Sequence, residues 1–490
     1  MPINRRDFFA MLGGIKPTTT PNQAVADDFS PRSPELHILS RLTWGVTPKD
    51  VANIQQMGIE GYIEWQLNPD SIPDPLVDDF MSKRQVLSMS TTQLRQIANE
   101  QYGFVIGNML WARLYRATYS ERQLHELMVE FWTDHFNIPL QDYLTEKIID
   151  DREVIRKHAL GNFRQLLFAS AQSPAMLMYL DNDVSDKEHP NENYARELME
   201  LHTLGVNGGY TEQDVVEVAR ALTGWTIEYG RDDMFVFNLD MHDTGEKTVL
   251  GVTMPAGRGI EDGLQVLDIL AYHPSTARFI AQKLCRRFIA DFPPDSIVQS
   301  TSEVFFTTGG DIRATMRHLL LSDEFMNAYG QKFRRPIDFM VGTLRVLRDG
   351  IDVDNTYIFI DPLEAMGQLP YAWHPPNGYP DVAMAWLNTN GLLYRWNVGL
   401  NMALAGEGYA EGIALNLDAV IPPVGTVGEL VDMVAERILT VSLPTDLRQL
   451  FISLVTVDGN ADMPLDDRLR RTYLPTLVGL MIASPQFQWH

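Results

Sequence analysis

Apolar residues recur along most of this chain every three to four positions, the spacing of an α-helix with one buried side. "SPELHILSRLTWG" shows the pattern early: Ser33 precedes Pro34, a helix start with proline at its first position. Long helical candidates follow at 91–119, 121–136, 151–158, 161–171 and 174–180. Thr211 with Asp214 reads as a capping box opening "EQDVVEVARAL", and Gly224 supplies the stop. One stretch breaks the pattern. "DMFVFNLDMHDTGEKTVLG" alternates apolar positions around a turn-rich centre and predicts a β-hairpin over 234–251. Helices then return at 261–272, and Ser275 is read as the cap of "TARFIAQKLCRRFIADF". Residues 352–390, rich in Pro, Gly and aromatics, predict a long ordered loop. No fixed period repeats, and strand–helix alternation is missing. The expectation is a mostly α fold, a large multi-helix body with one minor hairpin. Residues 1–32 form a tail and 33–490 a single large helical domain, with a sub-boundary near 345–360.

The segment "NENYARELMELHTLGVNGGY", residues 191–210, carries the first candidate chemistry. Asn191 caps, Glu192 sits in the first turn, and Gly205 ends the helix near Leu204. At 100° per residue, Tyr194, Ala195, Leu198, Met199 and Leu201 share a side, and His202 falls in its middle. Glu197 and Glu200 form a neighbouring stripe. Arg196 lies four residues after Glu192 and four before Glu200, spacing that by itself explains it as helix electrostatics. The 121–136 helix repeats the arrangement: His135 lies on the apolar stripe, His125 at its edge with Trp132, and Glu126, Glu130 and Asp134 recur on the outer side. His125 and His135 are about 15 Å apart along the axis, too far to share a metal. The bland reading of both helices is core histidines with bonded ring nitrogens and solvated acidic faces. The functional reading is a pocket between the helices, with His202, Glu197, Arg196 and His135 as catalytic candidates.

Composition narrows the partners. Among 490 residues, 40 Lys and Arg face 64 Asp and Glu, a net charge of −24 that repels nucleic acid and anionic membrane. The pairs Arg286-Arg287, Arg334-Arg335 and Arg470-Arg471 are short, and a solvated helix face explains each. The one cysteine, Cys285, permits no disulfide and reads as a small buried hydrophobe. No apolar run is long enough for an integral membrane helix. "NRRDFFAMLGGI" resembles a degenerate twin-arginine export signal, with "AVA" at 24–26 as its cleavage site. This predicts a periplasmic or extracellular protein, against a cytoplasmic one with a loose tail.

Several motifs fail. "HELMV" lacks the second histidine of a zincin, and no Glu-x-x-His, G-x-S-x-G, P-loop or G-x-G-x-x-G occurs. "DNDVSDKEHPNE" places Asp181, Asp183, Ser185 and Glu192 at positions 1, 3, 5 and 12 of an EF-hand-like loop, with Asp186 where glycine belongs. Asp181, Asp183 and Glu192 are therefore candidate ligands for a divalent cation, calcium-like or a transition metal, against a solvated polar loop. Inward histidines near Trp and Met also suit haem, without any attachment motif. His242-Asp243 reads as turn bonding, and the aromatic loop around His374 as the lining of a cleft.

"NENYARELMELHTLGVNGGYTEQDVVEVARALTGW", "FWTDHFN", "HDTGEKTVLG", "HPSTARFIAQKLCRRFIADFPP" and "GDIRATMRHLLLSDEF" closely resemble the bacterial family known as domain of unknown function 1800. "LSRLTWGVTPKDV" and "GQLPYAWHPPNGYPD" resemble it too, so the likeness runs from about residue 35 to the end. The resemblance implies a large, mostly helical protein, often exported and often encoded beside an exported protein of sulfatase-like fold. It brings no reaction. Its signature falls on Trp132, His135, Asn191, Asn193, Arg196, Glu197, Glu200, His202, Gly208, Gly209, Trp225, His242 and Asp243. Two functions from different classes follow as expectations. One is an exported enzyme, a metal-dependent hydrolase or an oxidoreductase, using the His/Glu/Arg pocket. The other is a non-catalytic partner or scaffold for the co-encoded protein, in which the same groups form a buried polar network.

Overall fold

The helical periodicity is realised almost throughout. The computed structural model describes residues 29–230, 232–353, 357–403, 413–456 and 458–490; the export-signal reading falls on residues outside these. The protein is mostly α. Side-chain caps act where the sequence places them: Ser33 accepts from Leu36 N–H before Pro34, and Thr211 and Asp214 form a reciprocal box. Asn191 accepts from Asn193 N–H at 2.9 Å. At the Pro274–Phe288 helix the cap is His273, whose Nδ1 accepts from Ser275 N–H at 3.1 Å; Ser275 is already inside the helix, because Pro274 fits its first position.

The β structure expected at 234–251 is present, but as halves of two hairpins. Met234–Phe237 pairs backward with Trp225–Glu228, and Lys247–Val249 pairs forward with Val252–Met254. Gly224, at φ 78°, opens the first hairpin, and the "HDTGEK" turn links the two rather than closing one. A third antiparallel pair joins Ile351–Val353 to Ile413–Leu415. The 352–390 region is less irregular than the sequence suggests, since it contains the Tyr357–Ala365 and Ala383–Trp386 helices.

The main apolar core runs from Ile38 to Phe487, beside two smaller clusters, one including Phe80 and Tyr371 and one including Phe333 and Trp386. At its centre lies the Gln123–His135 helix, packed against Pro34–Leu42, Pro48–Leu67 and Thr91–Tyr119. Its acidic stripe is not solvated. Glu126 and Glu130 are buried, paired with Arg156 and with Arg113 respectively. Charges enter a core only with partners, and these arginines come from other helical segments, 30 and 17 positions away, which the periodicity of one helix cannot reveal. The dibasic pairs behave alike. Arg287, Arg334, Arg335 and Arg470 are not on solvated faces; their side chains lie inside, Arg335 on Asp338 and Asp134, Arg470 on Asp418.

Two helical segments widen into π turns, Asp151–Ile155 and Leu198–Thr203. In the second, Leu204 N–H reaches Met199 O at 2.8 Å, a five-residue step, and Thr203 Oγ1 donates to Leu198 O. Such a turn shifts every later side chain relative to a regular helix, so His202 is placed by the π turn and not by a 100° wheel.

Candidate active site

The C-terminal end of the Gln123–His135 helix brings Phe131, Asp134 and His135 together. The Pro274–Phe288 helix, which packs on the Leu198–Thr203 turn, brings Lys283, Arg286 and Arg287. A loop supplies Asn377, Tyr379, Pro380 and Asp381, and Arg335 comes from the N-cap of the Pro336–Leu347 helix. Between them lies a cavity of about 150 Å³. The loop is seated by Gly378, at φ 70°: a Cβ there would stand 2.0 Å from Asp134 O, so only glycine allows this approach. Tyr379 O–H donates to Leu369 O at 2.7 Å and holds the loop from its other side.

His135 is buried in an aromatic box of Phe131, Trp132, Phe136, Phe163 and Phe279. Trp132, edge-on to it, is fixed by donating to Ala159 O at 2.9 Å. His135 Nε2 lies 3.0 Å from the carbonyl of His202. A carbonyl only accepts, so Nε2 carries the proton, and Nδ1 presents its lone pair. That lone pair receives Lys283 Nζ at 2.8 Å. The His202 carbonyl is free for this role because it sits in the last turn of its helix, where no intrahelical N–H follows.

Electrostatics follow from this enclosure. Burial, then the nearby Lys283 ammonium, holds His202 down at about 3. The same causes and the His202 ring hold His135 well below the usual histidine range. Both rings are neutral at ordinary pH. Burial lowers the Lys283 amine to about 8; the Asp134 carboxylate opposes this and Arg286 adds to it. Asp134 is pushed up to about 7 by burial and by the Glu130 carboxylate, even though Arg335 Nη1 donates to it at 2.8 Å.

Lys283 differs from the other enclosed lysines. Lys147 meets Asp150 at 2.7 Å, Lys247 meets Asp262 at 2.8 Å, and Lys332 meets Asp291 at 2.7 Å. Lys283 is partly exposed to the cavity and, among the described residues, has imidazole rather than carboxylate as its partner. Arg286 beside it donates to the Asp291 carbonyl at 3.2 Å and likewise has no carboxylate among the described residues.

The sequence-derived candidates divide. His135 and His202 come together, with ring centroids 6.1 Å apart. Arg196 stands on the surface, bonded to Glu212 at 2.7 and 3.0 Å and to Glu192 at 3.3 Å, which is the helix-electrostatic role. Glu197 is half-buried beside Glu200, and both raise its pKa, burial foremost; among the described residues it bonds to neither histidine. Asp183 accepts from Tyr229 O–H, and Glu192 is engaged by Arg196. Asp181 adopts φ 56° and its carbonyl accepts from Asn191. Among the described residues no three His, Cys, Asp or Glu side chains stand grouped to hold a metal. His242 is buried, donating from Nδ1 to Thr223 O at 2.8 Å, and Asp243 takes Arg220: these lock the turn. His374 is exposed beside Asp142, while its loop neighbours line the cavity. Burial raises the Cys285 thiol to about 12, the state of an inert core group.

Lys283, Arg286, Arg335, Tyr379 and Asp381 were not legible as site residues. Two signals pointed near them: dibasic pairs inside otherwise apolar helices, where a solvated face is the common explanation, and the aromatic loop around His374, which carries Tyr379 and Asp381. A family model described as "Protein of unknown function (DUF1800)" matches residues 37–489. No curated protein and no solved structure matches the chain.

Proposed function

Because this chain belongs to the DUF1800 family, whose description gives no reaction, we propose its function from the site itself: an acid–base enzyme that acts on a small anionic substrate in the Lys283 cavity. The observation that carries this is the Lys283–His135 bond. A buried amine normally takes a carboxylate, which keeps it charged and unreactive. Here imidazole keeps it available, and Lys283 titrates where a general base is useful. Asp134, at about 7, is the matching acid. Arg286 supplies the attraction for an anion that the −24 surface does not. The metal-assisted version has less support, since both ring nitrogens of His135 are committed.

The test is competitive acetylation of the full chain with trace acetic anhydride, each lysine being followed by peptide mass mapping across pH. Lys283 should label with a midpoint near 8 and be protected by malonate or phosphate. A midpoint near 10, as for surface lysines, or no protection by any small anion, overturns the reading.

No helix among the described residues is long and apolar enough to cross a membrane. Export is supported by Arg5-Arg6 and the apolar residues after them. Residues 33–490 acting as one domain is supported by the core running from Ile38 to Phe487. A scaffold role for another exported protein is favoured by one feature. Phe292 and Met384, 81% and 84% exposed, flank the Asp291–Ala383 hydrogen bond. Co-purification of the neighbouring gene's product with the wild type, lost in Phe292→Asp, would support it; equal recovery with both would remove it.

A further inference from the structure

We propose that Lys283 condenses with the carbonyl of a small oxo carboxylate to form an imine, the carboxylate being held by Arg286. The inference rests on the acid–base reading above and adds the substrate class and the bond formed. Three features select it. First, Lys283 Nζ donates to His135 Nδ1 at 2.8 Å, which fixes one N–H and leaves the amine lone pair for another direction. Second, the cavity it lines offers about 150 Å³, a size that suits a three- or four-carbon acid. Third, the wall carries one guanidinium without a carboxylate partner among the described residues, Arg286, and one protonatable carboxyl, Asp134. A mono-anion with a neighbouring carbonyl satisfies both.

The step balances within the site. The neutral amine attacks the carbonyl carbon, a C–N bond forms, and the C–O π pair moves to oxygen. One proton passes from nitrogen to that oxygen, giving a carbinolamine. Asp134 in its acid form protonates the hydroxyl, the C–O bond breaks, and water leaves. The product is a protonated imine on Lys283 with Asp134 ionised. His135 stays neutral throughout and acts as a positioning residue, since its enclosure disfavours an imidazolium. Burial is the main effect that opposes the ammonium form; Arg286 adds to it against the pull of Asp134, and also attracts the substrate. With the amine near 8 instead of the ordinary 10.5, its neutral fraction at pH 7 is larger by a factor on the order of a hundred.

The experiment is reductive trapping. The full chain is incubated at pH 7 with pyruvate and sodium cyanoborohydride, and parallel samples receive acetone, which has the carbonyl without the charge. Intact mass and peptide mapping then locate the adduct. One pyruvate should be trapped on Lys283 at least ~10-fold faster than on the average lysine, as its larger amine fraction requires. Acetone should show a weaker preference for that site, and Arg286→Gln should bring pyruvate down to the acetone level. Pyruvate spread evenly over surface lysines overturns the proposal. So does a Lys283 that pyruvate leaves untrapped although acetic anhydride labels it with a midpoint near 8 and malonate suppresses that labelling; that result leaves the acid–base reading standing. Loss of the malonate protection as well removes both.

Discussion

The 2.8 Å hydrogen bond between Lys283 and His135 runs from amine to ring, because the opposite ring nitrogen is committed to the carbonyl of His202. The tautomer is thus set by a backbone atom from a third segment. A change at any of the three positions reaches the amine, which makes the arrangement testable from several sides.

Lys283→Met keeps the length of the side chain and removes the charge. The folded amine sits at about 8 and the unfolded one near 10.5, so the folded state disfavours the ammonium below pH 8. This cost eases as pH rises from 8 to 10.5. The variant should therefore melt higher than wild type at pH 6, with the gain shrinking toward pH 10. Scanning calorimetry across pH reads it; a variant less stable at every pH would count against an unfavourably charged amine.

His202 is neutral in the fold and near 3, against about 6.5 in an unfolded chain. The unfolded chain therefore binds more protons between pH 6.5 and 3, and stability present above 6.5 is lost as pH falls through that window. The full shift corresponds to a loss on the order of 5 kcal/mol. His202→Leu should flatten the acid side of the stability curve, read by urea midpoints at pH 7 and pH 4.5. An unchanged difference between those midpoints would show that His202 does not drive acid unfolding.

Gly378→Ala puts a methyl group against Asp134 O in a left-handed backbone. The backbone strain alone costs about 1–2 kcal/mol, and the clash adds to it. We expect a lower Tm and a displaced loop, with Lys283 labelling moving toward the behaviour of a surface lysine. Wild-type labelling with a lowered Tm would confine the role of Gly378 to stability.

Asp338 receives Arg287 at 2.9 and 3.1 Å and Arg335 at 3.0 Å, all enclosed. Asp338→Asn removes the carboxylate that Arg287 and Arg335 share and should cost about 3–5 kcal/mol, read as a fall in urea midpoint. Replacement without loss would mean that Asp134 and Glu130 already satisfy Arg335.

The chain's own order of residues determined the helices, their caps at Ser33, Thr211 and Asn191, the inward placing of His135, and the family. These follow from local spacing, since a helix and its ends are decided within a few residues. Spacing could not decide which carboxylates stay wet. Glu126 and Glu130 go inside because Arg156 and Arg113 arrive from elsewhere, whereas Arg196 stays out because Glu192 and Glu212 suffice at the surface. Nor could it find the cavity. Lys283 lies 148 positions from His135, and only packing of the Pro274–Phe288 helix on the π turn sets amine against imidazole. Charge pairing and desolvation are long-range effects, so the tertiary structure alone decided where the reactive groups meet.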